Sequence, residues 1–177
     1  TVTNSGSGTG SALISAPVGA NVTEIIENSA TSALNVTGAL TVNGSGTTLT
    51  NSNTAALTLS GGVGGAGDLV LNNNSTAAAG ITLQTTAVNN TGTVTNSGTG
   101  TGGSTISAVI GTNVTGVVQN SATSALTLSG ANTYGGDTTI TVGTLKLGAA
   151  NVIPDGAGKG NVSVAGTLDL NTFSETI

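Results

Sequence analysis

Apolar side chains in this chain come in pairs with one residue between them: Leu57-x-Leu59, Leu69-x-Leu71, Ile81-x-Leu83, Leu126-x-Leu128, Ile140-x-Val142, Leu145-x-Leu147, Val162-x-Val164 and Leu168-x-Leu170. Alternation with period two over runs this short, bounded by Gly and Asn, predicts short half-buried strands. No window carries the 3.6-residue apolar stripe of an amphipathic helix, and the residues between the pairs are poor helix formers. The expected fold class is all-β.

The pattern also repeats at long range. Residues 1–38 recur as residues 93–130 without a gap, with 24 identities in 38 aligned positions at a fixed offset of 92 residues. Mismatches mostly keep character, as in Ile25/Val117, Ile26/Val118, Glu27/Gln119 and Val36/Leu128. Spacing conserved so strictly is the mark of a solenoid, in which each unit packs only on its neighbours. Leu34 to Leu57, Ile140 to Val162 and Leu145 to Leu168 are each close to one quarter of that offset. The expectation is therefore a parallel β-helix, or β-solenoid, with coils of roughly 20–25 residues. A sandwich of hairpins is the alternative, but Asn43-Gly44 and Asp155-Gly156 are the only tight hairpin dipeptides present. Asn pairs equivalent in the repeat, Asn4/Asn96, Asn21/Asn113 and Asn28/Asn120, are candidates for stacked amide ladders, although Asn also suits left-handed turns.

Composition sharpens this picture. Thr, Gly, Asn and Ser make up 100 of 177 residues, a bias that elsewhere signals disorder, yet 36 % of residues are apolar and the net charge is only −5. The ordered pairs argue for a folded chain. There is no Cys, Met, Trp, His or Arg, and the only cations are Lys146 and Lys159. Packing and backbone hydrogen bonds must then hold the fold without disulfides. A nucleic-acid partner is not expected, for want of a basic patch. No apolar run approaches the roughly 18 residues of a membrane span, so membrane insertion of this segment is not expected. Thr1 opens no signal peptide, and Ser174-Glu175-Thr176-Ile177 breaks off mid-pattern without a polar cap. Residues 1–177 read as one continuous solenoid segment of a longer protein.

The C-terminal third carries a distinctive signature. Leu126-Thr-Leu-Ser-Gly-Ala-Asn-Thr-Tyr134, followed by Gly143-Thr-Leu145-Lys-Leu-Gly148, resembles the autotransporter-associated β-strand repeat of bacterial surface proteins, and Asp155 to Phe173 continues the pattern. The resemblance covers residues 126–173; residues 1–125 share only its style. It implies a right-handed parallel β-helix in a secreted passenger or cell-surface protein, serving export and presentation rather than catalysis.

Motifs that would carry chemistry fare poorly. Gly62-Val-Gly64-Gly-Ala-Gly67 and Gly98-Thr-Gly100-Thr-Gly-Gly103 match a dinucleotide fingerprint literally, but a strand pattern, not a helix, follows Gly67. Asp155-Gly-Ala-Gly-Lys159-Gly160 lacks the Ser or Thr that a phosphate loop places after its Lys. Without His or Cys the usual acid–base and nucleophile pairs are missing. Glu24 and Glu27 face one another as a carboxylate pair only if the backbone curls between them, and the repeat places Gly116 and Gln119 there. The Asp residues are singletons, which argues against calcium. No catalytic, cofactor-binding or metal residue is assigned, no cofactor is expected, and the chain does not read as an enzyme. The eight N-x-[ST] sequons follow from composition. Thr-x-Thr pairs (Thr1/Thr3, Thr93/Thr95, Thr99/Thr101, Thr139/Thr141) evoke an ice-binding face but fall irregularly in strands and turns. Tyr134 and Phe173, the only aromatics, suit coil corners.

The expected function is a structural segment of a bacterial extracellular fibre or cell-surface adhesin stalk, assembling by end-to-end stacking of uncapped coils. The expected partner is the protein itself, with surface glycans or other cells next. An autotransporter passenger spacer presenting a binding domain elsewhere is the alternative, and an ice- or glycan-binding solenoid ranks third.

Overall fold

In the computed structural model, which describes residues 1–177, the chain winds through short strands coil after coil. The first coil holds β1 (Val2–Asn4) and β2 (Ala12–Ile14). The second holds β3 (Glu24–Glu27), β4 (Leu34–Val36) and β5 (Leu40–Val42), and the third β6 (Thr47–Asn51), β7 (Leu57–Leu59) and β8 (Val63–Gly65). Then follow β9 (Leu69–Asn73) and β10 (Ala79–Leu83), β11 (Thr93–Ser97) and β12 (Gly103–Ile106), and β13 (Gly116–Asn120) and β14 (Leu126–Leu128). The last coils hold β15 (Asp137–Val142) and β16 (Thr144–Leu147), and β17 (Val162–Val164) and β18 (Thr167–Asp169).

The first strand of each coil pairs with its counterpart in the next, so that β1-β3-β6-β9-β11-β13-β15-β17 form one eight-stranded sheet. A second eight-stranded sheet runs β2-β4-β7-β10-β12-β14-β16-β18. Strands β5 and β8 start a narrow third face, extended by single bridges from Val18 to Leu40, Val63 to Val88 and Val88 to Ile110. Every strand pair is parallel, which excludes the hairpin sandwich. The fold is an all-β parallel solenoid of about seven turns, without a helix.

Period-two alternation explains the core. In β4, β7 and β14 the outer residues of each triplet are buried and the middle one is half-exposed. Parallel stacking aligns these into inward columns, such as Leu34–Leu57–Ile81–Ser104–Leu126–Leu145 in the second sheet. Val18, Leu40, Val63, Val88 and Ile110 close the core from the third face.

The duplicated blocks do not stack equivalently on every face. In the second sheet Ala12 leads through Leu34, Leu57 and Ile81 to Ser104, its counterpart in the 92-residue repeat. The third face keeps the same count from Val18 to Ile110. In the first sheet Val2 leads through Ile25, Leu49 and Leu71 to Asn96, two residues past its counterpart Val94. A two-residue slip keeps the same side chains inward, because the side-chain period of a strand is two. A bulge in β10 between Ala79 and Ile81 lies in the coil where the slip occurs.

The slip moves the expected Asn ladder. Asn4 heads an inward column of Asn4, Glu27, Asn51 and Asn73, whereas Asn96 stacks between Leu71 and Gln119. Neither amide bonds another Asn: Asn4 Nδ2 donates to Glu27 Oε2 at 2.8 Å and Asn96 Nδ2 to Gln119 Oε1 at 2.8 Å. Asn21, Asn113, Asn28 and Asn120 are exposed and form no ladder. Corner geometry explains both outcomes, since an inward amide finds carbonyls and carboxylates while an outward one meets solvent.

Tight corners fall to glycine where the backbone requires it. Gly98 sits at φ 102° with its Cα against the Asn73 carbonyl, and Gly143 sits at φ 75° against the Ser121 carbonyl. A side chain at either place would overlap the coil beside it.

Candidate functional site

The chain offers three places where chemistry or recognition is concentrated: a buried polar seam, an outer threonine column, and the coil ends.

The seam runs inside the corner between the first and second sheets. Glu27 is fully buried; its Oε1 accepts from Ser29 N at 2.6 Å while Oε2 accepts from Asn4. Its counterpart Gln119 accepts from Asn96 and donates from Nε2 to the Ser121 and Ser124 carbonyls, both at 2.9 Å. Asn73 donates to the carbonyls of Gly102 and Gly103, each at 2.9 Å, tying the fourth coil to the fifth. Apart from Asn96 Oδ1, these groups find partners in neighbouring coils or in the adjoining corner.

The carboxylates Glu24, Glu27 and Asp68 stay apart. Glu24 and Glu27 sit three apart in β3 and point to opposite faces, Glu24 outward where its Oε1 accepts from Thr50 Oγ1 at 3.1 Å. Asp68 belongs to another corner, where Oδ1 accepts from Thr93 N at 2.7 Å and Thr93 Oγ1 at 2.9 Å. No group of three or more His, Cys, Asp or Glu is placed to hold a metal ion. The stretch Gly62–Gly67 includes strand β8 and leads into β9, and Gly98–Gly103 forms the corner before β12, so neither opens a helix. No helix of the chain is long and apolar enough to cross a membrane.

The outer face of the second sheet holds an ordering that the Thr-x-Thr pairs did not reveal. Thr58, Thr82, Thr105 and Thr127 stand one above another on successive coils, with Asn35 at one end and Lys146 at the other. The Thr-x-Thr pairs do not stack, in keeping with their irregular placement: Thr95 lies between Val70 and Val118, and Thr139 between Val118 and Ser163. The signal was present in the sequence as the middle residue of Leu57-Thr-Leu59, Ile81-Thr-Leu83 and Leu126-Thr-Leu128. It becomes a column only because those triplets are in register.

Towards the C-terminal coils the third face changes its means of bonding. Ile110 N donates to Asn132 Oδ1 at 2.8 Å, and Asn132 Nδ2 donates to Val152 O at 2.8 Å. Val152 N and Ile153 N donate in turn to Glu175 Oε2 and Oε1, at 3.0 and 2.9 Å. The Glu175 carboxylate thus ties the last residues of the chain to two backbone N–H groups of the coil beneath. Tyr134 is buried as expected of a corner filler, its hydroxyl 2.8 Å from Thr138 Oγ1. Burial pushes its pKa from 10.0 up to about 12, with the Thr138 bond acting in the opposite direction and the Glu175 charge adding to the rise. Phe173 instead remains 38 % exposed in the last coil.

At the coil ends, inward columns lose their cover. Val164 continues the column of the fully buried Ile140 yet is 49 % exposed, and Leu170 is 44 % exposed. Strands β17 and β18, and β1 and β2 at the opposite end, are each paired along one edge only.

These features define a parallel β-solenoid with a hydroxyl-rich outer surface. No family model, no curated protein and no solved structure matches the chain.

Proposed function

We propose that this chain is a structural segment of a bacterial extracellular fibre or cell-surface adhesin stalk, lengthened by coil-on-coil stacking and without enzymatic activity. The observation that carries the reading is the uniform stacking of two eight-stranded parallel sheets, in which each coil packs only on its neighbours and presents the same edge to a next coil of the same pitch. That coil belongs either to the same long chain or to another copy. The resemblance of residues 126–173 to the autotransporter-associated repeat supports a secreted, surface-exposed setting. So does a chain with two Lys, no Arg and no sulfur, which offers trypsin few sites and oxidants no thiol or thioether. The partner in this reading is the protein itself. Electron micrographs of native material, labelled with antibody against this segment, test it: thin filaments or surface stalks decorated along their length are expected. Label confined to the cell interior or to compact single particles refutes it. A β-barrel translocator encoded in the same chain would make the segment a passenger spacer presenting a binding domain.

A second reading rests on the column of Thr58, Thr82, Thr105 and Thr127, whose spacing of about 4.8 Å between parallel strands suits a flat repeating ligand, ice or a glycan. Ice-growth and glycan-array assays of the protein and of a Thr82→Lys, Thr105→Lys double variant test it. Activity lost in the variant with an unchanged melting temperature supports it; no activity in the parent refutes it.

A further inference from the structure

Two buried side-chain oxygens in the fifth coil have no partner: Asn96 Oδ1 and Ser104 Oγ. Both residues are 0 % exposed, and both point into the corner between the first and second sheets. They are neighbours through the coil above. Asn96 Nδ2 donates to Ser124 O at 2.8 Å, and Ser104 N donates to Ala125 O at 2.9 Å, so adjacent peptide groups receive one bond from each residue. Both protons of the Asn96 amide are engaged, on Gln119 Oε1 and Ser124 O, which leaves Oδ1 free only to accept.

The duplicate block shows why the arrangement differs here. In the first block Asn4 Oδ1 accepts from Gly6 N at 3.3 Å, and the position of Ser104 is held by Ala12, with no hydroxyl. In the second block the first sheet has slipped by two residues and the corner is re-formed around Gly98 at φ 102°. Asn96 Oδ1 is then without the glycine N–H that serves Asn4, and a hydroxyl appears in the same coil, at Ser104. An unpartnered buried acceptor costs about 1–3 kcal/mol, so a pair of them in one corner calls for a shared partner.

We propose that this corner is a binding site for one ordered water molecule, which donates to Asn96 Oδ1 and bonds Ser104 Oγ, sealing the joint where the two blocks meet out of register. The ligand is neutral because the groups that face it are neutral: Asn73, Asn96, Ser104, Gln119 and Ser124 bring amide and hydroxyl groups and no carboxylate. A buried water ordinarily makes two to four hydrogen bonds to polar groups otherwise unsatisfied, and Asn96 Oδ1 and Ser104 Oγ supply two.

Oxygen-17 magnetic relaxation dispersion on the intact chain, together with a high-resolution crystal structure, tests the assignment. The expected result is a long-lived internal water, with density between Asn96 Oδ1 and Ser104 Oγ. In Ser104→Ala, which restores the residue of the first block, that water is lost and the melting temperature falls. The proposal is overturned if the parent shows no density there, or if Ser104 Oγ is found bonded directly to Asn96. It is equally overturned if Ser104→Ala melts at or above the parent temperature, as expected for deleting a hydroxyl that was simply unsatisfied. The measurements on the parent stand on their own should the variant not fold.

Discussion

The side-chain amide of Asn132 takes the place of a backbone peptide beside Ile110. Its Oδ1 accepts from Ile110 N at 2.8 Å while its Nδ2 donates to Val152 O at 2.8 Å, so one side chain joins two coils where the third face has no strand pair. Replacing Asn132 by Ala leaves the N–H of the fully buried Ile110 unpartnered, at a cost of about 1–3 kcal/mol. Asn132→Asp keeps the acceptor for Ile110 but sets a carboxylate against the Val152 carbonyl, and is also destabilising. Urea denaturation of the full chain measures both.

Glu27 and Gln119 hold equivalent places in the two blocks, and the pair forms a built-in control. Gln119 shows that a neutral amide can accept from the facing Asn and donate to corner carbonyls. Glu27→Gln keeps the acceptor for Asn4 but sets Nε2 against the Ser29 N–H that Glu27 Oε1 serves, and is expected to cost about 1–3 kcal/mol. Gln119→Glu removes two donated bonds and turns a carboxylate on the Ser121 and Ser124 carbonyls. It should cost about 2–4 kcal/mol, read from denaturation midpoints of the two variants side by side.

Tyr134 gives the fold an alkaline limit. Its pKa is raised from 10.0 to about 12 in the folded protein, so the folded state keeps a proton that the unfolded chain has lost. The contribution, of order 2–3 kcal/mol, is whole below pH 10 and falls away as pH rises from 10 to about 12. Tyr134→Phe removes this dependence at the expense of the Thr138 bond, so its stability runs flatter across that window. Denaturation midpoints across the window, with tyrosinate absorbance recorded in parallel, decide the matter.

Corner glycines differ in what they are for, and alanine separates the cases. Gly98 combines φ 102° with contact against the Asn73 backbone, and Gly98→Ala should cost more than about 3 kcal/mol. Gly156 has φ 91° but open space around it, so Gly156→Ala carries only the conformational strain of about 1 kcal/mol. Gly8 has neither feature, and Gly8→Ala should be neutral. Thermal melts that rank the three otherwise would contradict this account of the corners.

Much of the architecture is written locally. Pairs such as Leu57-x-Leu59 and Leu145-x-Leu147 declare strands because side-chain direction alternates along an extended backbone, and their spacing declares the coil because parallel neighbours must lie one turn apart. The threonine column was equally present in the triplets, though only register turned it into a surface.

Tertiary structure alone decided the rest. The two-residue slip that sets Asn96 on Leu71 rather than Asn73 preserves every inward and outward assignment, so no hydrophobic pattern can announce it. The same holds for Asn132 and Glu175, whose side chains take over bonds that backbone makes elsewhere on the third face. Local sequence determines which way a side chain points, by the geometry of the strand. Which partner it meets there depends on how one coil settles on the next, and that is fixed by packing across some 23 intervening residues.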